Sequence, residues 1–243
     1  TCKVWANDQL VITSNINNAT ERIASGHLMF GFFDGTSSKP VDAFFNYADI
    51  VYTPFISGDN PFAGGSGTQL DPYLIANAEQ LNNVRYYLDA HFRQIANVDL
   101  GVAPWNTGEG WDPIGVIYGQ NDPNNEYFSG TFDGSSHYIL NMKINRPAAD
   151  FQGLFAAVVD ATLMNILLGN IEINANSFVG GLTAANMNSS ILGVQADGVI
   201  YAEDNAGGLA GVDIDGNYEY CITTVHIDGD DEVGGLIGVI LSG

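Results

Sequence analysis

Between Val194 and Asp231 the chain alternates apolar and polar side chains, first in VQADGVIYAED and again in YCITTVHIDGD. A period of two marks strands with one face buried. The blocks also return at a fixed distance. Leu154, Leu182, Leu209 and Leu236 follow one another at intervals of 28, 27 and 27 residues, and the last three each follow a glycine pair, Gly180-Gly181, Gly207-Gly208 and Gly234-Gly235. An offset of 27 lays Ile173 on Ile200 and Ile227, Val194 on Cys221, and Ala196 on Thr223. Such a period belongs to repeat architectures, in which each unit covers its neighbour's apolar face.

At a rise of about 3.3 Å per strand residue, one period makes a single circuit of three short strands and three corners. The corners are expected at Asn174-Ala175-Asn176, Asp204-Asn205, Asp215-Gly216-Asn217 and Asp228-Gly229-Asp230, since Gly, Asn and Asp tolerate positive φ or bond to their own backbone. The glycine pairs are expected to let the chain turn tightly beside the inward leucines. The predicted fold class is all-β: a right-handed parallel β-helix of about 27 residues per coil, with an N-terminal capping helix and a small non-repeat attachment segment. A β-sandwich would require the recurring spacing to be coincidence.

Three regions follow. Residues 1–60 lack the repeat and read as an attachment or docking segment: a strand at Lys3–Trp5, a turn at Asn7-Asp8, and a helix opened by Thr13 or Ser14 that carries Ile16, Ala19 and Ile23 on one face and ends at Gly26. Residues 61–150 hold a Gly-Ser link, a strand at Tyr73–Ile75, and a helix capped by Asn77 with Gln80 at the third position and Leu81, Val84 and Leu88 on one face. That helix is placed to plug the open end of the coil stack, whose unpaired edges would otherwise invite aggregation. HFRQIANVDL reads as the first inward strand, GWDPIG as a turn with Trp111 buried, and FSGTFDGSSHYILNMKI as the next coil. Residues 151–243 are the GGL array, which reaches Gly243 one strand into a new coil without a cap pattern, so continuing chain or another subunit is expected to cover that end.

Charge changes the picture of partners. The net charge is −21, and all seven basic residues precede residue 147, so the array carries acids alone. Phosphate backbones and anionic lipids demand Lys and Arg, so nucleic acid is excluded as a partner, and no apolar run approaches the roughly 20 residues of a membrane-spanning helix. No signal-peptide pattern is visible at Thr1. Cys2 and Cys221 lie far apart, and Cys221 in a ladder position reads as a small buried thiol. His27, His91, His137 and His226 show no zinc spacing, and no HExxH motif is present.

The array's acids supply the candidate sites. Asp204 and Asp231, one repeat apart, and Asp213 with Asp215 in DIDGN are candidate calcium ligands, carboxylates being suited to a hard cation. No other cofactor is expected. Glu203 and Asp230 stand at the offset at which two carboxylates could serve a glycosidase, but they sit among corner acids with no base beside them, so no catalytic residue is assigned. Tyr218 and Tyr220 should place one ring inward and one outward, and an outward ring could stack on a sugar.

The succession DPYLIANAEQLNNV, HFRQIANVDL, WDPIG, FSGTFDGSSHYILNMKI, QGLF and GGLxG, over Phe62 to Gly243, resembles the GLUG-type repeat proteins of bacterial surface proteins and adhesins. The resemblance implies a right-handed parallel β-helix on an extracellular structure. KVWANDQLVITSNINNATERI resembles the opening of bacteriophage tail-fibre proteins, and FFDGTSSKPV is similar to the HDGTxSxP-type segment that follows there, although Phe33 replaces the His and no metal role passes to it. Together they imply a non-enzymatic fibre or receptor-binding protein on a virion, trimeric as such fibres commonly are. Its partners would be a cell-surface glycan or protein receptor and, through residues 1–60, other virion subunits. A bacterial cell-surface adhesin is the alternative and a polysaccharide-degrading tailspike the second alternative.

Overall fold

The computed structural model describes residues 2–6, 9–14, 31–32, 41–42, 60–119 and 122–241. The chain divides into two units, Thr1–Phe55 and Ile56–Gly243. In the first, Cys2–Ala6 pairs antiparallel with Gln9–Ser14, and Gly31–Phe32 with Val41–Asp42. The expected strand at Lys3–Trp5 is present. Thr13 and Ser14 instead end the second strand, because the apolar, β-branched run Leu10–Thr13 suits a pleated surface better than a helix. The remainder of the helix expected up to Gly26 lies outside the described residues.

Alternation and period together wind the second unit into a parallel β-helix with three faces. The first face stacks Tyr73–Ile75, His91–Gln94, Thr131–Asp133, Thr162–Met164, Ser190–Leu192 and Asn217–Glu219. Its pairing sets Tyr73, Phe92, Phe132, Leu163, Ile191 and Tyr218 in one column. The second face carries the long strands Leu167–Ala175, Gln195–Gly207 and Ile222–Gly234, with Ile144, Ile173, Ile200 and Ile227 in register. The third stacks Phe155–Val159, Thr183–Met187, Ala210–Ile214 and Ile237–Leu241. Thr183 pairs with Ala210 and Ala210 with Ile237, which reproduces the interval of 27.

The leucines form the expected column. Leu182 N–H donates to the Leu209 carbonyl at 3.0 Å and Leu209 N–H to the Leu236 carbonyl at 2.9 Å. Leu154, Leu182 and Leu209 are fully buried, while Leu236, on the last coil, packs against the core from a half-buried position.

The glycine pairs act through proximity. None of the six has positive φ. A Cβ on Gly181 would lie 2.5 Å from the Gly208 carbonyl oxygen, and one on Gly208 would lie 2.5 Å from that of Gly235, so each coil's backbone occupies the space a side chain would need. The corners also differ from expectation. Asn205 and Asp215 do adopt positive φ, but Asp228-Gly229-Asp230 runs through a strand and Asn174-Ala175 closes another. Left-handed corners recur in three series, Phe151, Phe178, Asn205 and Glu232, then Asp160, Asn188 and Asp215, then Asn165, Gly193 and Tyr220, and the first two contain the expected Asn205 and Asp215. Phe151 and Phe178 hold this strained conformation with rings stacked 4.8 Å apart and nearly parallel, so ring contact offsets the backbone cost.

A short helix, Ala78–Asn83, sits at the first coil between Tyr73–Ile75 and His91–Gln94. The Asn77 side chain accepts from the Gln80 N–H at 2.9 Å and the Gln80 side chain accepts from the Ala76 N–H at 2.8 Å, giving the expected cap. Leu81 and Val84 are fully buried and Leu88 half-buried against the core. From Gly101 to Gly130 a long insertion leaves the coil path. Trp111, fully buried, donates from Nε1 to the Leu154 carbonyl at 3.2 Å, and Ile114 and Phe128 bridge to Phe155 and Val158. Ions pin this insertion from outside: Asp112 accepts from Arg85 at 2.9 Å and Arg146 at 2.8 Å, and Glu109 from Arg146 at 3.0 Å.

Gly208 and Gly235 occupy equivalent positions one coil apart, yet a Cβ on Gly235 meets nothing within 4 Å. Gly208→Ala should destabilise the protein by about 1–3 kcal/mol and Gly235→Ala by less than about 0.5 kcal/mol, as measured by urea unfolding. Equal effects would show that coil-to-coil approach is not what selects glycine.

Candidate functional site

Stacking coils in register brings like side chains together on the outside as well as inside. Asp204 lies directly opposite Asp231, and Glu203 and Asp230 stand beside them on the same two strands. Asp230, Asp231 and Glu203 are exposed and Asp204 half-buried. Two carboxylates supply at most about four of the roughly six to eight oxygens that calcium takes. Among the described residues no group of three or more His, Cys, Asp or Glu side chains is gathered to hold a metal.

Asp213 and Asp215 are placed apart in character. Asp215 is exposed, at a left-handed corner. Asp213 is only 4% exposed. Its Oδ1 accepts from Asn186 Nδ2 at 2.8 Å and from the Tyr218 hydroxyl at 2.9 Å, and its Oδ2 from the Gly216 N–H at 3.2 Å. Burial pushes the Tyr218 hydroxyl pKa well up, so it stays a donor. The carboxylate of Asp213 is therefore occupied by the protein's own donors. This network was not anticipated from the sequence, although Asn186 precedes Asp213 by one repeat and both interrupt an apolar strand pattern. Tyr218 and Tyr220 do divide inward and outward, Tyr220 being 86% exposed. Cys221 carries a free thiol, half-buried, with its pKa raised by desolvation.

A second ladder runs over the earlier coils. Asn141 Nδ2 donates to Asp99 Oδ1 at 2.8 Å, Asn170 Nδ2 to Asn141 Oδ1 at 2.8 Å, and the Asn170 N–H to Asp197 Oδ1 at 2.9 Å. The bond from Asn141, with another from the Gly101 N–H, holds the Asp99 carboxyl below the usual range. Asn141 and Asn170 have positive φ, which Asn adopts more readily than most residues. The result is a polar seam across four successive coils. Of the cations on this unit, Arg85, Arg93, Lys143 and Arg146 are all paired with carboxylates, which leaves the later acids unrelieved.

Comparison with known proteins finds two curated relatives and one similar solved structure. No family model matches the chain. It is 31% identical over 153 residues, 60% of its length, to halomucin of Haloquadratum walsbyi. It is 37% identical over 131 residues, 51% of its length, to a candidate Gly-rich membrane protein of Evansella cellulosilytica. The chain spans only 2% and 14% of these two curated relatives. Among solved structures it is similar to a candidate immunoglobulin A1 protease from Bacteroides ovatus, at 22% identity and a TM-score of 0.48, over 76% of this chain and 67% of that one. Neither the GLUG-type nor the tail-fibre resemblance acquires a family assignment.

Two measurements check the ladders. Asp213→Ala strands the Asn186 and Tyr218 donors in the interior and should cost about 2–4 kcal/mol in urea unfolding, whereas Tyr218→Phe should cost about 1–2 kcal/mol; a neutral Asp213→Ala would contradict the network. Because registered acids repel and salt screens them, raising NaCl from low to molar concentration should raise Tm, by about 2–4 °C for each kcal/mol of repulsion removed. A flat or falling Tm would show that the ladder is not under electrostatic load.

Proposed function

We propose that the chain is a non-enzymatic display rod at a cell or particle surface, where its stiff β-helix presents outward side chains to a cell-surface glycan or protein. The observation that carries this reading is the register: the coils of the array set their outward positions in line at strand spacing, so neighbouring coils offer side chains to one extended partner. Rigidity spares the ordering cost that a flexible binder would bear on each contact. The acid surface restricts partners to neutral glycans, cations or complementary proteins and disfavours nucleic acid and anionic lipid. Glu203 and Asp230 stand on neighbouring strands among other acids with no basic residue beside them, which supports binding over hydrolysis.

A relative named as a membrane protein favours a bacterial cell-surface adhesin. A phage fibre, with assembly into a trimer and docking through residues 1–60, is the second reading, carried by the N-terminal resemblance to tail-fibre proteins.

Labelled protein should adhere to cells or purified surface glycans and release no oligosaccharide from them. Oligosaccharide release would replace display with depolymerisation, and absence of adhesion to every surface tested would remove the binding role. Mass spectrometry of purified virions against cell envelopes separates the two readings by where the protein is found.

A further inference from the structure

The polar seam opens into a trough of about 210 Å³ on the side of the β-helix, where the polar residues Asn106, Asn141, Lys143, Asn170 and Glu172 meet Gly198 and the apolar Met142, Ile171 and Val199. Three features of the chain create it. Pairing between Leu167–Ala175 and Gln195–Gly207 slips at one point: Leu168 faces Ala196 but Ile171 faces Gly198, so Gly169 and Asn170 together oppose Asp197 alone. Such a bulge re-aims the backbone and is frequent beside binding sites. Gly198, at φ +136°, lies where a Cβ would collide with the Ile171 carbonyl, so only glycine lets the bulged backbone close against it and form the floor. Asn106, brought in by the long insertion and fixed by donating to the Gly101 carbonyl at 2.6 Å, supplies the wall.

We infer that this trough binds one neutral hexose unit of a surface glycan, an inference that rests on the glycan-binding reading above. A hexose offers neighbouring hydroxyls, each both donor and acceptor, and needs both kinds of partner close together. The seam bonds use Asn141 Oδ1 and one N–H from each of the Asn141 and Asn170 amides, and among the described residues they leave Asn170 Oδ1 over as an acceptor and a second N–H on each amide. Lys143 lies 3.1 Å from Glu172, half-exposed beside an exposed partner, so the ammonium keeps N–H groups for a ligand and the carboxylate keeps an acceptor oxygen. Asp99 and Asp197 in the same seam, with Glu172, make the trough repel sialic and uronic acids. Its volume falls below the roughly 300 Å³ at which drug-sized pockets begin, which matches a single sugar ring.

The test is a titration of the full chain with methyl glucoside, galactoside and mannoside, followed by amide NMR, together with the cell-adhesion assay. At least one hexoside should shift the side-chain amides of Asn106, Asn141 and Asn170, with a Kd of about a millimolar. Sialic acid and glucuronic acid should not. Lys143→Met, with Tm unchanged, and Asn170→Gly, which keeps the left-handed backbone accessible but loses the bond to Asn141 and so lowers Tm by a few degrees, should each weaken binding about five-fold or more, since each removes a hydrogen-bonding group. If the wild type adheres to glycans while the shifts map elsewhere, or both variants bind like the wild type, the trough is not the site and the display reading stands. If the wild type binds neither hexoside nor cell-surface glycan, the glycan-binding reading falls and the trough with it.

Discussion

Coil must lie on coil at strand-pairing distance, about 4.8 Å, and the rest of the structure follows from that spacing. At the glycine pairs the next coil's carbonyl oxygen stands where a Cβ would be. Because each backbone donor there finds its acceptor one circuit away, the Leu182, Leu209 and Leu236 column is held by hydrogen bonds as well as by apolar contact. Neither works without the other: a side chain at Gly208 would part the coils, and parted coils would expose both the leucines and their amides.

The same spacing acts with opposite sign inside and outside. Inside, stacking like on like gives a continuous core from Phe62 to Leu209, with aromatic rings at the early coils yielding to aliphatic side chains later. Outside, it sets Asp204 on Asp231, where repetition is unfavourable. Asparagine resolves the conflict elsewhere in the seam, since an amide both donates and accepts and can be stacked on itself or on a carboxylate, as Asn170 is on Asn141 and Asn141 on Asp99.

Features that repeat were legible in the sequence. The coil length, the leucine column, the burial of Trp111 and the Asn77 cap all follow from spacing or local motif. What escaped is what happens once or depends on a distant partner. Phe151 and Phe178 occupy left-handed corners because each supports the other, a preference no single-residue propensity contains. Thr13 and Ser14 fell to the strand because a local β-branched run outweighed a cap signal. Asp213 reads as one more corner acid until Asn186 and Tyr218 are known to converge on it. The bulge at Gly169-Asn170 is a slip between two strands, visible only when they are paired.

The pinning of the insertion by Arg85 and Arg146 draws this unit's cations to its early coils and leaves the later ones anionic. Charge is therefore graded along the winding axis, from ten acids against four bases over residues 60–150 to twelve acids and no base over residues 151–243. An approaching negatively charged body would meet a repulsion that grows toward the later coils, felt before any short-range contact forms and weakened as ionic strength shortens the Debye length below about 10 Å.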